Sequence, residues 1–103
     1  MTHSVIIRAE AEEDLLEGAL WYESLEGGLG KDFVSEVRAA ITRTSENPLL
    51  YPSLRSNPDV RRILTRRFKY RIFYILRSDA IVIIAVLHAA RHDRRWIGRT
   101  DEA

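Results

Sequence analysis

One stretch of the sequence constrains the fold more than any other, the run AIVIIAVLHAA from Ala80 to Ala90. A half-exposed strand alternates apolar and polar residues, whereas this run is apolar almost throughout. Such continuity is typical of a central strand that is covered on at least one face. We therefore predict a β-sheet with this run inside it. The run is also too short to span a bilayer, which requires about 20 apolar residues, so no membrane association is expected.

Three further segments have the composition of strands. Ser4–Arg8 is short and β-branched, and Val60–Arg67 and Tyr70–Arg77 both show a period of two. Ser78-Asp79 separates the last of these from the apolar run and has the composition of a tight turn. A loop rich in proline and asparagine, Leu49–Asp59, precedes the second strand.

Two amphipathic helices occupy the region between the first strand and that loop. Apolar residues recur at helical spacing over Glu10–Leu25 and again over Lys31–Glu46. Gly27-Gly28 ends the first helix and Asn47-Pro48 ends the second. The element order is β-α-α-β-β-β. We predict an α+β fold, with a helical hairpin packed on one face of a mostly antiparallel four-stranded sheet.

The length of 103 residues and the 46% of hydrophobic residues indicate one globular domain. We assign residues 1–97 to this domain and residues 98–103 to a frayed C-terminal tail. The chain has no cysteine, which excludes disulfides and thiolate metal sites. No secretory signal is recognisable at the start. We expect a cytoplasmic protein that requires no metal and no cofactor.

The net charge of +1 conceals a division between two halves of opposite sign. Residues 1–59 carry five Lys/Arg and eleven Asp/Glu, a balance of −6, whereas residues 60–103 carry eleven and four, a balance of +7. A basic half favours an acidic partner, either a nucleic acid or an acidic protein surface. The alternative is a fold whose own two halves attract each other.

The basic residues accumulate on the second and third strands and in the segment HAARHDRRW. Strand alternation places Arg61 and Arg62 on opposite faces. Only one face can lie under the helices, so we expect the other to expose arginines beside aromatic side chains. His88 lies in the apolar run and is expected to pack in the core. His92 is expected to be exposed, and Trp96 to fold back onto the core.

In this order of elements the sequence resembles the RelE/ParE superfamily of bacterial toxins. The resemblance is carried by SVIIRAEAEEDL, NPLLYPSL, VRRILTRRFKYRIFYIL and AVLHAARHDRRW, which together span nearly the whole domain. It implies the fold predicted above, and it implies a toxin of a type II toxin–antitoxin module that is neutralised by a cognate antitoxin. Growth inhibition and plasmid stabilisation are the biological roles that it suggests, in a homodimer or a toxin–antitoxin hetero-oligomer.

The superfamily contains two chemistries. RelE-like members cut messenger RNA on the ribosome without a metal, whereas ParE-like members are not nucleases and inhibit DNA gyrase. The nuclease branch carries Lys-x-Lys on the second strand, an arginine on the third, an arginine at the end of the fourth and a tyrosine six residues later. These positions hold, in turn, Arg62, Leu64, Arg71, Arg91 and Ile97.

Leucine and isoleucine cannot transfer protons, and a guanidinium stays protonated at neutral pH. The ParE-like alternative is therefore favoured. A RelE-like ribosome-dependent endoribonuclease would use Arg62, Arg71, Arg91 and His92. A third alternative is an inactive relic that binds only the antitoxin. The expected target-binding residues are Arg61, Arg62, Arg66, Arg67, Lys69, Arg71, Arg91, Arg94, Arg95 and Trp96, and the expected antitoxin-binding residues are Leu16, Leu20, Tyr22 and Phe73.

Overall fold

A computed structural model describes residues 3–89 and 94–100. The elements follow the predicted order, with a short 3-10 helix at the C-terminal end. They are β1 (Ser4–Ile7), α1 (Ala9–Leu25), α2 (Leu29–Glu46), β2 (Val60–Leu64), β3 (Tyr70–Arg77), β4 (Ala80–His88) and the 3-10 helix (Arg95–Arg99).

The four strands form one sheet in the order β1-β4-β3-β2. β4 contains most of the apolar run and lies inside the sheet, as its composition predicts, and every residue from Ala80 to Leu87 is buried. β2, β3 and β4 are antiparallel neighbours, whereas β1 pairs in parallel with β4. The prediction of a mostly antiparallel four-stranded sheet is confirmed.

The two helices form a hairpin on one face of the sheet, also as predicted. Their buried side chains and the facing strand residues form the main core, which includes Leu15, Phe33, Val37, Ile72 and Tyr74. Gly28 joins the helices in the left-handed conformation, with φ of 91°, which favours glycine. Its N–H donates to both carboxylate oxygens of Glu23.

A β-bulge interrupts the pairing of β3 with β4. Phe73 pairs with Ala85, whereas Tyr74 pairs with Ile83, so Ile84 has no counterpart on β3. The extra residue shifts the alternation of side chains along β4. As a result Ile84 and Ala85, although adjacent in sequence, belong to the same apolar cluster.

This second cluster lies on the face of the sheet away from the helices. It consists of Val60, Phe73, Ile75, Val82, Ile84, Ala85 and Leu87. The expectation that this face exposes its aromatic residues is wrong for Phe73, which is only 3% exposed. The loop that follows α2 contributes Leu54 and the 3-10 helix contributes Trp96, and both pack on the cluster.

The second strand is shorter than the predicted Val60–Arg67. Its last residue is Leu64, because the chain then turns: the N–H of Thr65 donates to the carbonyl oxygen of Tyr70, and Lys69 adopts a φ of 54°. β4 likewise ends at His88, and the last residue of the predicted run, Ala90, lies outside the described residues.

The domain boundary expected at residue 97 falls inside the 3-10 helix. Gly98 and Arg99 belong to the 3-10 helix, and Arg99 is held inside the fold by an ion pair of 2.6 Å with Asp14. Gly98 is exposed, whereas Arg99 is half-buried. Residues 101–103 lie outside the described residues, so the domain boundary stays a prediction.

Candidate functional site

An open groove crosses the sheet face away from the helices. The antiparallel register places Arg62 opposite Phe73 and Arg71 opposite Leu64, which brings the two arginines to neighbouring positions on this face. The groove has a volume of about 470 Å³. We call it the arginine groove, and its lining residues are Pro52, Ser53, Leu54, Arg55, Ser56, Arg62, Arg71, Phe73 and Trp96.

An aromatic pair forms the floor and one wall of the arginine groove. The rings of Phe73 and Trp96 are stacked, with centroids 5.3 Å apart and planes inclined by 10°. Phe73 is buried in the sheet, whereas Trp96 is half-buried and belongs to the 3-10 helix. Trp96 thus folds back onto the core, as the sequence predicted. Its stacking gives the groove a flat apolar surface beside the arginines.

The charge of the arginine groove is not neutralised by the described part of the chain. No described carboxylate forms an ion pair with Arg55, Arg62 or Arg71, whereas other arginines do form such contacts. Arg62 is exposed and Arg71 is half-buried. A guanidinium beside an aromatic surface is suited to bind a carboxylate or a phosphate group.

Other predicted target-binding residues are engaged with the protein itself. Arg67 contacts Asp32 at 3.5 Å and lies over the ring of Phe68. Arg61 donates to the carbonyl oxygen of Tyr51. The guanidinium of Arg95 lies 3.7 Å from a carboxylate oxygen of Asp14 and 3.5 Å from one of Glu17. The contacts of Arg67 and Arg95 with acidic residues follow the alternative in which the basic and acidic halves attract each other.

The remaining members of that predicted set lie apart from the arginine groove. Arg66 lines a separate groove at the outer edge of β2, together with Glu36 and Arg43. Lys69 is exposed on the turn that precedes β3, and Arg94 is exposed beside the 3-10 helix. The expected target-binding residues therefore lie at several separate places in the structure and do not form one site. Arg91 and His92 lie outside the described residues.

The predicted antitoxin-binding residues also separate into two groups. Leu16 and Leu20 are 58% and 62% exposed on α1. Tyr22 is half-buried against Phe68, and its hydroxyl donates to the carbonyl oxygen of that residue. Burial raises the pKa of Tyr22, and the negative charge of Glu36 adds to this rise. Phe73 is buried under Trp96, so only the two leucines are open to a partner.

Sequence reasoning missed three residues of interest. Arg55 lines the arginine groove, but in the sequence it is one arginine inside the polar loop PSLRSNP. Trp21 and Leu25 are exposed on α1, and neither is among the expected antitoxin-binding residues. The signal for Arg55 was weak, because nothing in the loop indicates that it folds beside the sheet.

Two kinds of chemistry find no support among the described residues, metal binding anywhere and proton transfer at the arginine groove. The described residues contain no cluster of His, Asp or Glu that could hold a metal ion. The described lining of the arginine groove consists of Pro, Ser, Leu, Arg, Phe and Trp. None of these side chains is a good general base near neutral pH without an activating neighbour. Over the same ranges, no helix is long and apolar enough to cross a membrane.

Comparison with known proteins gives one family and several similar folds. Residues 5–93 match the family model described as the ParE toxin of the type II toxin–antitoxin system parDE. A search of curated proteins found no significant match. Several solved structures share the fold of this chain at low sequence identity to it.

The structure of a chromosomal ParDE system from P. aeruginosa aligns with a TM-score of 0.76 and 16% identity, covering 84% of this chain and 96% of that one. The intact RelBE toxin–antitoxin complex from E. coli aligns at 0.66 and 20% identity, covering 86% and 99%. A mutant of the E. coli toxin RelE in the free state aligns at 0.61 and 16% identity, covering 96% and 94%. At these identities the likeness concerns the fold alone.

Proposed function

The chain belongs to the ParE toxin family of type II toxin–antitoxin systems, and from this premise we propose that it arrests growth by inhibiting DNA gyrase. In this proposal the arginine groove is the surface that docks on the enzyme. The protein acts in the cytoplasm, where gyrase is found, until its antitoxin covers it.

The observation that carries the proposal is the positive charge of the arginine groove, which no described carboxylate neutralises. Arg62 and Arg71 are neighbours across β2 and β3, beside the stacked rings of Phe73 and Trp96. Arginine and tryptophan are the residues that dominate binding energy in protein interfaces, above all where water is excluded. Opposite charges in the partner also accelerate encounter and fix its orientation. An acidic, partly apolar surface on gyrase fits this groove.

Inhibition by binding needs no proton transfer, whereas cleavage of RNA by its 2′-hydroxyl needs a general base and a general acid. The described lining of the arginine groove supplies neither. Leu64 and Ile97 occupy two of the positions that the nuclease branch uses, and both are exposed aliphatic residues. These observations favour a toxin that binds its target over one that cuts it.

A supercoiling assay with purified gyrase tests the proposal directly. We expect the toxin to block supercoiling, and we expect the double variant Arg62→Ala, Arg71→Ala to lose this effect. The matched control is Arg43→Ala, Arg66→Ala, which removes the same charge from the separate groove at the edge of β2. This control should inhibit as the wild type does. Full supercoiling activity in the presence of excess toxin would reject gyrase as the target.

The paired arginines also favour a second candidate function, a ribosome-dependent endoribonuclease, because two guanidinium groups at neighbouring positions suit a phosphodiester. Breaks in transcripts mapped on translating ribosomes would support this alternative. Harmless overexpression without an antitoxin would instead identify an inactive relic. Either result would be obtained with the same purified protein and expression strain.

The antitoxin is the second proposed partner. We propose that it contacts α1 through Leu16 and Leu20, whose exposure leaves them open to an apolar segment. The neighbouring helix positions Glu12, Glu13, Glu17 and Glu23 are acidic and exposed. A segment that covers this surface should therefore combine apolar side chains with basic ones, since like charges would repel.

A further inference from the structure

Asp14 is the one charged side chain among the described residues that is buried. Its Oδ2 accepts hydrogen bonds from Nη1 of Arg99 at 2.6 Å and from the N–H of Val86 at 3.0 Å. Its Oδ1 accepts a weaker one from Nη2 of Arg99 at 3.3 Å. A buried carboxylate is tolerated only when it is paired and its oxygens are hydrogen-bonded, and here both conditions are met.

The ion pair lies beside the part of β4 that β1 does not reach. β1 pairs with β4 only as far as Ile83, so the backbone groups that follow on this side of β4 have no strand neighbour. Asp14 satisfies the N–H of Val86, and Nη1 of Arg99 donates to the carbonyl oxygen of Ile84 at 2.9 Å. Unpaired buried backbone groups are costly, which explains why both side chains are drawn to this edge.

The same ion pair attaches the 3-10 helix to the rest of the fold. Asp14 belongs to α1, Ile84 belongs to β4, and Arg99 is the last residue of the 3-10 helix. Side chains three residues apart in a 3-10 helix project from the same side. Anchoring Arg99 therefore also orients Trp96, which lies three residues earlier and stacks on Phe73.

Trp96 contributes to more than one concave surface. It lines the arginine groove, and it also lines an adjoining groove of about 290 Å³ with Ser56, Asn57, Arg94, Ile97 and Thr100. Its ring therefore lies between the two. A displacement of the 3-10 helix would remove the wall that they share, without altering any groove arginine.

We propose that Asp14 and Arg99 are positioning residues for the arginine groove, because their ion pair fixes Trp96 against Phe73. Neither residue lines the groove, and the side chain of Asp14 is only 3% exposed, so their effect on the target is indirect. What the groove binds rests on the proposed function, whereas the position of Trp96 can be measured without any target.

Tryptophan fluorescence tests this positioning role. The chain has two tryptophans, and the exposed Trp21 can be replaced by phenylalanine so that Trp96 is the only reporter. In this background, Arg99→Ala should shift the emission of Trp96 to the red and increase its quenching by acrylamide. Arg99→Lys should give an intermediate shift, because lysine keeps the charge but loses the two-pronged geometry of the guanidinium.

The matched control is Arg38→Ala, which removes one positive charge from an exposed position of α2 that lines neither groove and should leave the emission unchanged. Far-ultraviolet circular dichroism and urea midpoints establish that each variant is folded. Should Arg99→Ala fail to fold, Arg99→Lys and Asp14→Asn serve as the milder pair, since asparagine retains an acceptor for the N–H of Val86.

Supercoiling inhibition supplies the second measurement. We expect the Arg99→Ala toxin to need about a tenfold higher concentration than the wild type, comparable to the loss of an interface anchor. Unchanged emission of Trp96 in a folded Arg99→Ala variant would overturn the proposal, and so would displaced Trp96 with undiminished inhibition. A wild-type toxin that leaves gyrase unaffected would reject the proposed function alone, because the fluorescence comparison would still stand.

Discussion

The hydroxyl of the fully buried Tyr74 donates a hydrogen bond of 2.6 Å to the carbonyl oxygen of Pro48, which lies 26 residues earlier in the chain. This bond connects the middle of the sheet to the first turn after α2, where the loop that covers the second face begins. Burial raises the pKa of Tyr74 to about 12, and the positive charge of Arg61 offsets only part of this rise.

We predict that Tyr74→Phe lowers the free energy of unfolding at neutral pH by about 1–3 kcal/mol, because the buried oxygen of Pro48 loses its donor. The ring itself is retained, so packing in the core should change little. Urea unfolding monitored by circular dichroism measures the difference. A variant as stable as the wild type would show that water replaces the hydroxyl.

The raised pKa of Tyr74 also predicts an alkaline loss of stability. The unfolded tyrosine ionises near its ordinary value of 10.0, whereas the folded one ionises near 12. The contribution of this pKa difference to the free energy of unfolding is therefore complete below pH 10.0. It is lost as the pH rises from 10.0 towards 12, at about 1.4 kcal/mol per pH unit. Tyr74→Phe removes this pH-dependent contribution. The difference in stability between the two proteins should shrink over that range, and a constant difference would contradict the assignment.

Much of this fold could be predicted from the sequence, because periodicity reports which residues are buried. The apolar run became β4, and the two helical stripes became the hairpin. The bulge at Ile84 could not be predicted, since a shift in alternation is invisible where every neighbouring residue is apolar. The parallel pairing of β1 was equally hidden, because a short β-branched strand suits either edge and either direction.

The candidate site was only partly predictable. Alternation separated Arg61 from Arg62, but it could not tell which of them lies on the face away from the helices; the structure places Arg62 and Arg71 there. The burial of Asp14 was not foreseen, because in the sequence it is one of several acids at the start of α1. Its partner, Arg99, lies 85 residues later, and no local pattern connects the two.

The close approach of α1 to α2 gives a second stability prediction. A Cβ added at Gly30 would overlap the main-chain oxygen of Ala19, and backbone cannot move aside as a flexible side chain can. We predict that Gly30→Ala destabilises the domain by about 1–3 kcal/mol, the usual cost of overpacking. Gly27→Ala is the control, because its Cβ would meet nothing closer than 3.9 Å. Equal unfolding midpoints for the two variants would contradict this close contact between the helices.

The arginine groove predicts a particular dependence of gyrase inhibition on salt. Interactions between exposed charges weaken as ionic strength rises, so the wild-type toxin should lose affinity with added salt. Arg62→Ala should reduce that dependence, because one exposed charge no longer takes part. Arg67→Ala should not, because Arg67 is already paired with Asp32 on the protein. The affinity of each toxin for gyrase, measured over a series of salt concentrations, distinguishes the two variants. If affinity falls with salt equally steeply for the wild type and both variants, a docking role for Arg62 is excluded.

The exposed leucines of α1 give the last prediction, which concerns the antitoxin. Leu16→Ser and Leu20→Ser change side chains that face solvent, so each should alter the stability of the toxin by less than about 0.5 kcal/mol. If the antitoxin covers them, the double variant should bind it about tenfold more weakly, since truncated anchors at interfaces typically cost more than about 1 kcal/mol.

A matched control is available in the loop that follows α2. Leu49 and Leu50 are 65% and 67% exposed in the loop that follows α2, so Leu49→Ser, Leu50→Ser makes the same chemical change in another element. The binding partner is the protein encoded by the adjacent reading frame, co-purified with each toxin variant and titrated by calorimetry. Because apolar burial resists screening, the loss at α1 should persist at high salt. Equal weakening by both double variants would instead place the antitoxin across the loop as well as the helix.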